Sequence, residues 1–197
     1  MSELTTHEQI HRRLLILGLI VSLSLGCTRS EPTIATIEPQ GRVESNSVEV
    51  TIVDRAEFDA ALVRFKGQVV LVDCWATWCL PCLAQLPHSL ELAARLGDQG
   101  LTVVTLSFDD PSKIDAVSKL LAKKGGAAGT HFISKRGGGS EAMDEFEITG
   151  GALPHYKLFD RTGKLIRTFA LDPSAERQFT INDIDQAVNE LLGDRDG

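Results

Sequence analysis

The sequence of 197 residues contains no long apolar run, no block of basic residues and no second C-x-x-C motif. Its main apolar segment, residues 14–25, is shorter than the run of about 20 residues that a membrane-spanning helix requires. The net charge is −7, so nucleic acid is not an expected partner. Gly137-Gly138-Gly139 lacks the Lys-Ser/Thr that follows a phosphate-binding loop, and we interpret it as a flexible turn.

The composition is that of an ordinary globular protein, with 43% hydrophobic and 24% charged residues. A chain of this length can build one domain with a substantial core, but not two comfortable ones. The sequence has no internal repeat and no low-complexity tract apart from short glycine clusters. It therefore predicts one folded domain, which we place at residues 48–197.

Residues 1–26 have the pattern of a secretory signal rather than of a folded segment. Arg12 and Arg13 contribute to a cationic start, the apolar segment follows, and small residues end it just before Cys27. Residues 27–47 are predicted to be a flexible tether, because they hold prolines, a glycine and many polar residues without a sustained period.

The end of the signal, Leu-Ser-Leu-Gly-Cys, resembles the lipobox of bacterial lipoproteins, in which the cysteine becomes the lipid-modified first residue. The resemblance implies lipidation of Cys27 and attachment to a membrane. Ser24 stands where the lipobox usually has leucine, and Ser24 and Gly26 also suit an ordinary signal peptidase. Simple secretion and an uncleaved signal anchor therefore stay open. All three place the domain outside the cytoplasm, where disulfides persist.

The domain alternates predicted strands and helices. Apolar runs predict strands at residues 48–53, 69–72 and 101–106, and less distinctly at 131–133. Capping and proline signals predict helices after Asp54, from about Cys79 to Leu96, after Asp110-Pro111 and, less distinctly, from Ser140. A hairpin around residues 160–163 and a helix at 182–192 follow. The order βαβαβα-β-β-α predicts an α/β fold with a mixed central sheet and helices on both faces.

Cys79-Leu80-Pro81-Cys82 is a C-x-x-C motif between a buried strand and a helix. A thiol in the first helical turn faces unpaired backbone N–H groups and the positive end of the helix dipole, which stabilise a thiolate. The second cysteine lies one turn further on and can attack a mixed disulfide held by the first. The motif predicts redox chemistry. A structural disulfide is an alternative, as is a zinc site that His88 and His155 would have to complete, since a closed zinc site needs four ligands.

The segment from Asp73 to Cys82 resembles the active-site strand, turn and helix start of the thioredoxin superfamily. Pro87 matches the proline that kinks the family's second helix, and Leu153-Pro154 resembles its cis-proline strand. The similarity extends over residues 48–192. With the signal and the tether, the chain is most similar to exported, membrane-tethered thioredoxins of the TlpA/ResA type. The resemblance implies a thioredoxin fold.

The resemblance also implies a role for each residue of the site. Cys79 is then the exposed nucleophile, and Cys82 is the buried resolving thiol. Asp73 matches the buried acid that takes the proton of the resolving thiol through water. Burial raises the pKa of a carboxyl group toward neutral pH, which suits such a proton transfer.

The substrate-binding residues that the resemblance implies surround the C-x-x-C motif: Trp78, Leu80, Pro81, Leu153, Pro154 and His155. Trp78 is expected to shield the site, and the backbone at Leu153 is expected to pair with a substrate segment as an added strand. The redox-active disulfide between Cys79 and Cys82 is the only redox group expected, without a metal or another cofactor.

Some positions depart from the family pattern or allow a plainer interpretation. Thr105 stands where cytoplasmic members often have a lysine near the buried acid. Cys74 replaces a common aromatic, and we interpret it as a small, inert core residue. Asp73 as a hydrogen-bonded structural acid and His155 as an ordinary strand residue remain alternatives.

The sequence thus predicts a membrane-tethered extracytoplasmic enzyme that reduces protein disulfides and is recharged by a membrane or periplasmic electron donor. Cytochrome c maturation is a role suggested by resemblance alone. The Leu-Pro dipeptide does not fix the redox direction, so a disulfide oxidase or isomerase is an alternative. A non-catalytic binding lipoprotein and a metal carrier are alternatives of another class.

Overall fold

The computed structural model describes residues 47–193. The predicted signal at 1–26, its Cys27 and the predicted tether up to residue 46 lie outside the described residues and stay predictions. Within the described range, no helix has both the length and the apolar character needed to cross a membrane.

Six strands form one mixed sheet, and five α-helices are described. The strands are β1 (Thr51–Val53), β2 (Val69–Trp75), β3 (Leu101–Ser107), β4 (Thr130–Ser134), β5 (His155–Phe159) and β6 (Leu165–Phe169). The helices are α1 (Arg55–Val63), α2 (Leu80–Leu96), α3 (Ile114–Lys123), α4 (Ser140–Glu145) and α5 (Ile181–Gly193). The strand order is β1-β4-β3-β2-β5-β6, which confirms the predicted mixed sheet.

Helices cover both faces of the sheet, as predicted. Strands β1 to β4 run parallel, and because such crossovers are right-handed, α1 lies on one face and α2 and α3 lie on the other. Helix α4 joins the α1 face, where the rings of Phe58 and Phe146 lie 5.6 Å apart. Helix α5 joins the α2 face, where His88 Nε2 lies 2.7 Å from Asp185 Oδ1.

The capping and proline signals in the sequence predicted where most of the helices begin. Asp54 caps α1 and forms the predicted capping box: it accepts from the Glu57 amide, and the Glu57 carboxylate accepts from the Asp54 amide. Asp110 caps a 3-10 turn at Pro111–Lys113, and α3 begins only after that turn. Strand β4 and helix α4, the two weakly marked elements, are both present.

Strand β2 is the central strand of the site. All seven of its residues are buried, as expected for a parallel strand covered on both faces. It pairs with β3 on one side and with the antiparallel β5 on the other. The residues that follow β2 therefore emerge between the ends of two flanking strands, and this position holds the C-x-x-C motif.

Candidate active site

The two cysteines of the C-x-x-C motif lie at the start of α2 and form a disulfide with an S–S distance of 2.02 Å. Cys79 is the N-cap of α2, and its sulfur accepts a hydrogen bond from the Cys82 amide at 3.3 Å. Pro81 stands in the first turn, where its missing N–H costs no helical hydrogen bond. The Cys79 sulfur thus lies against the positive end of the helix, where a thiolate is stabilised.

The surface around the disulfide is apolar and exposed, whereas both cysteines are buried, so the expected exposure of Cys79 is wrong for this oxidised form. Trp78 is 55% exposed and Leu80 is 78% exposed, against 6% for Cys79 and 2% for Cys82. Pro81 is also exposed. Large apolar side chains seldom stand this exposed beside each other without a binding role. The sequence prediction placed all three beside the cysteines, and the structure has them there.

The peptide bond between Leu153 and Pro154 is cis. Both residues are buried just before β5, and Leu153 belongs to the same core cluster as Cys79 and Cys82. Because β5 pairs His155 with Cys74, the cis peptide bond lies beside the end of β2, the strand that leads to the C-x-x-C motif. A substrate-binding role for this segment stays a prediction.

Asp73 is a buried acid on the face of β2 that α2 covers. It is 1% exposed, and its Oδ2 accepts a hydrogen bond from the Ser89 hydroxyl at 2.6 Å. Among the described residues, its Oδ1 has no hydrogen-bond partner. Burial raises the pKa of Asp73 to about 7, and the Ser89 hydrogen bond offsets part of that rise. Asp73 can therefore gain or lose a proton near neutral pH.

We expect Ser89→Ala to raise the titration midpoint of Asp73 by about one pH unit. A hydrogen bond to a charged group contributes about 1.5–3 kcal/mol, and one pKa unit corresponds to about 1.4 kcal/mol. Removing the hydroxyl removes a hydrogen bond that stabilises the ionised Asp73 carboxylate, so the pKa of Asp73 rises. Carboxyl carbon NMR of the oxidised protein measures the midpoint directly. Ser118→Ala is the matched control, because that buried hydroxyl donates to the Val48 carbonyl instead. An unchanged midpoint in Ser89→Ala would show that the hydroxyl does not stabilise the carboxylate.

Both strand neighbours of Asp73 are polar, and one of them, Tyr156, was not among the predicted site residues. Tyr156 pairs in register with Asp73, and its hydroxyl donates to Gln85 Oε1 at 3.0 Å. On the other side, Thr105 pairs in register with Asp73, as the comparison with the family's lysine position suggested. Its hydroxyl lies 2.9 Å from Nδ1 of the buried His131. Asp73 thus lies in a row of polar residues that crosses β5, β2, β3 and β4.

Cys74 and His155 lie on the opposite face of the sheet. The two residues pair in register, and side chains alternate along a strand, so both point away from the α2 side that holds Asp73. Burial raises the pKa of the Cys74 thiol, in agreement with its interpretation as an inert core residue. Cys74 lines a cavity together with Phe58, Leu106 and Lys157.

The predicted contact of His155 with substrate is wrong for this structure. The ring is fully buried, and neither nitrogen has a hydrogen-bond partner among the described residues. Burial, together with the charge of Lys157, lowers the pKa of His155 to about 4, so the ring is neutral at physiological pH. Position 155 directly follows Pro154, but strand alternation turns its side chain into the core.

The glycine turn packs more tightly than its sequence predicted. A Cβ atom added at Gly138 would lie 2.4 Å from the Phe108 carbonyl oxygen and 3.0 Å from the Trp78 ring. The approach to the backbone oxygen is too short for any side chain, and the approach to the indole ring is tight. The turn therefore lies directly against the indole beside Cys79, and only glycine fits at position 138.

A metal site receives no support from the described side chains. Over residues 47–193, no group of three or more His, Cys, Asp or Glu residues is arranged to hold a metal ion.

A family model described as Redoxin matches residues 47–188 of the chain. The thiol-disulfide oxidoreductase ResA of Bacillus thuringiensis is 25% identical over 162 residues, which cover 82% of this chain and 88% of ResA. The thiol:disulfide interchange protein DsbE of Yersinia pestis is 32% identical over 102 residues, 51% of this chain and 52% of that protein.

Among solved structures, a protein of Chlorobium tepidum that is provisionally assigned as a thiol:disulfide interchange protein DsbE matches with a TM-score of 0.53 and 27% identity. The match covers 67% of this chain and 85% of that one. Its fold agrees with the mixed α/β sheet described above.

Proposed function

The chain belongs to the Redoxin family and is a thiol–disulfide oxidoreductase of the thioredoxin superfamily, and we propose that it reduces protein disulfides outside the cytoplasm. The observation that carries the proposal is the Cys79–Cys82 disulfide at the N-terminus of α2, framed by exposed Trp78 and Leu80. A dithiol in this position can form a stabilised thiolate, and the apolar surface around it suits an unfolded or extended protein substrate.

The proposed reaction moves two electrons and two protons from the enzyme to its substrate. The Cys79 thiolate attacks one sulfur of a substrate disulfide, and the other substrate sulfur leaves as a thiolate that takes up a proton. Cys82 loses its proton and attacks Cys79 Sγ, which forms the Cys79–Cys82 disulfide and releases the second substrate sulfur as a thiolate, which takes up a proton in its turn. The structure corresponds to the oxidised end of this cycle.

We assign the proton of Cys82 to Asp73, through an intervening water. Asp73 lies under α2 on the same side of the sheet, with one oxygen held by Ser89 and the other without a described partner. Its pKa of about 7 lets it accept a proton during resolution and return it near neutral pH. A buried acid with a much lower pKa could not do so.

Substrate binding is assigned to the exposed ring of residues at the motif and to the cis-proline segment. Trp78, Leu80 and Pro81 supply apolar contact, and the backbone at Leu153 next to Pro154 is the expected site for an added substrate strand. His155 has no part in this set, because its ring is buried.

The cellular setting is proposed from the sequence. Residues 1–26 have the pattern of a secretory signal, and Cys27 follows a lipobox-like segment, which together support an extracytoplasmic domain tethered to the membrane. The disulfide needs an electron pair for each turnover, which we assign to a membrane or periplasmic donor. No cofactor besides the cysteine pair is required. A role in cytochrome c maturation, keeping haem-binding cysteines reduced, would fit such a reductant.

The reduction potential of the Cys79–Cys82 couple tests the direction. We expect a value near that of thioredoxin, about −270 mV, together with reduction of insulin disulfides by the reduced protein. Equilibration with glutathione or dithiothreitol, read by alkylation and mass spectrometry, gives the potential. A value near about −120 mV, which is typical of strong oxidants, would reverse the proposed direction.

The same preparation separates the enzyme from the non-catalytic alternatives. A binding or metal-carrying protein would leave insulin disulfides intact, and a carrier would take up stoichiometric copper or zinc through Cys79 and Cys82. Absence of insulin reduction by the fully reduced protein would contradict the proposal, whatever the measured potential.

A further inference from the structure

Asp109 is a fully buried acid beside the turn that leads to Cys79. It lies just beyond β3, at the edge of the sheet where β2 also ends, because the parallel strands pair Trp75 with Ser107. None of the ion pairs among residues 47–193 includes Asp109. Burying a carboxylate is costly unless its oxygens are hydrogen-bonded, so the groups that donate to it indicate its role.

Both oxygens of Asp109 accept hydrogen bonds from the active-site turn or from the end of β3. The Thr77 amide donates to Oδ2 at 2.8 Å, and the Thr77 hydroxyl donates to Oδ1. The Ser107 hydroxyl also donates to Oδ2, at 2.8 Å, and it accepts from the Asp109 amide at 3.1 Å. Hydrogen bonds to a carboxylate are roughly twice as strong as neutral ones, so the turn is held firmly at Thr77.

A further bond joins the same two segments: the Phe108 amide donates to the Trp75 carbonyl at 2.8 Å. The segment from Trp75 to Thr77 is thereby hydrogen-bonded to the segment from Ser107 to Asp109 at both of its ends, at Trp75 and at Thr77. This attachment continues the β2–β3 pairing beyond the sheet into the turn.

The turn fixed by Asp109 determines where the helix begins. The Cys79 amide donates to the Ala76 carbonyl at 3.1 Å, which closes the turn over Thr77. Cys79 then caps α2, with the Cys82 amide donating to its sulfur. In the oxidised protein the disulfide also holds this geometry. Once the disulfide opens, this turn and the hydrogen bond from the Cys82 amide are the contacts that hold the Cys79 sulfur at the helix N-terminus.

We propose that Asp109 is a positioning residue for the reaction at Cys79. Through Thr77, Asp109 holds the turn in the conformation that places the Cys79 sulfur at the N-terminus of α2. This contribution matters most in the reduced protein, because the disulfide no longer fixes the sulfur there. The inference rests on the proposed function in one respect, namely that Cys79 is the attacking thiol.

Thiol alkylation of the reduced protein tests this role. We expect Thr77→Val, which keeps the side-chain shape and removes the hydroxyl, to slow iodoacetamide alkylation of Cys79 about tenfold at pH 7. The alkylation profile should shift to higher pH, because a less well-placed sulfur is less stabilised as a thiolate. Asp109→Asn should slow the alkylation of Cys79 as well. Thr77→Ser, which retains a hydroxyl, should react at a rate close to that of the wild type.

Asp110→Asn is the matched control, since Asp110 is the adjacent exposed acid and the hydrogen bonds described for its side chain go to Ser112, not to the active-site turn. Its alkylation rate should equal that of the wild type. If Asp109 acted only through its negative charge, Asp109→Asn would speed alkylation and Thr77→Val would have no effect; that outcome would overturn the proposal. If Asp109→Asn does not fold, the comparison of Thr77→Val with Thr77→Ser still tests the positioning role.

Peptide mapping of the alkylated wild type separates this inference from the proposed function. If Cys82 reacts faster than Cys79 in the wild type, the assignment of the nucleophile fails, and the role of Asp109 fails with it. If Cys79 reacts faster and Thr77→Val leaves its rate unchanged, only the positioning role fails.

Discussion

We expect Cys79→Ser to lower the rate of insulin disulfide reduction by about a thousandfold or more, because it removes the proposed nucleophile. The fold should survive the change. Serine is a favoured N-cap residue, and its oxygen can accept the Cys82 amide hydrogen bond that the sulfur now accepts. The measurement is the turnover rate with a chemical reductant as electron source, alongside a thermal melt of the variant.

Cys82→Ser should give the complementary result, a stable mixed disulfide on Cys79, because the thiol that resolves it is gone. Expressed in the native host, this variant should accumulate covalent adducts whose partners identify the substrates. Cys74→Ala is the matched control and should retain activity, since Cys74 is buried on the other face of the sheet. A Cys79→Ser variant that still reduces insulin, or a Cys74→Ala variant that does not, would contradict the assignment.

We expect Asp73→Asn to stabilise the oxidised protein by about 4 kcal/mol at pH 8, with the gain disappearing near pH 4. Burial raises the pKa of Asp73 from 3.8 to about 7, a difference of about three units at about 1.4 kcal/mol each. The folded chain binds this proton more tightly than the unfolded chain, so its stability falls as the pH rises between about 4 and 7. Asparagine carries no charge and avoids this loss.

Denaturant unfolding of both proteins at pH 4 and pH 8 measures the difference. The oxidised form is the right one to use, because its disulfide cysteines do not titrate. Buried histidines affect the variant and the wild type alike and cancel. Asp98→Asn, an exposed aspartate beyond α2, should change stability by less than about 0.5 kcal/mol at either pH. An equal gain from Asp73→Asn at both pH values would mean that Asp73 is already ionised in the folded protein at pH 4, which would contradict its raised pKa.

The redox pair could be predicted from the sequence because its chemistry is local. Cys79 and Cys82 are three residues apart, and the apolar strand before them and the helix after them are visible as patterns. Asp73 at the end of that strand was found by resemblance, and its burial followed from the strand. The mixed sheet could also be predicted, since strand and helix periods alternate along most of the domain.

The residues that hold the site in place were missed because they depend on tertiary register. Ser89 carried a usable signal, since it lies seven residues after Cys82 and therefore on the same face of α2. The sequence also held a signal for Asp109, because it follows β3, and the carboxyl ends of the parallel strands β2 and β3 meet at one edge of the sheet. The burial of His155 could not be anticipated, because it depends on the pairing of β5 with β2 and on the helices that cover both faces of β5, and neither is visible at position 155 itself.

The side of the sheet on which Cys74 lies has a consequence for the fidelity of electron transfer. A third thiol close to Cys79 could attack the mixed disulfide in place of Cys82 and form a non-productive disulfide with Cys79. Cys74 is only five residues from Cys79, yet strand alternation turns it to the α1 face while Asp73 and the resolving chemistry lie on the α2 face. Burial also raises the pKa of the Cys74 thiol, so this third cysteine stays protonated and does not compete as a nucleophile beside the redox pair.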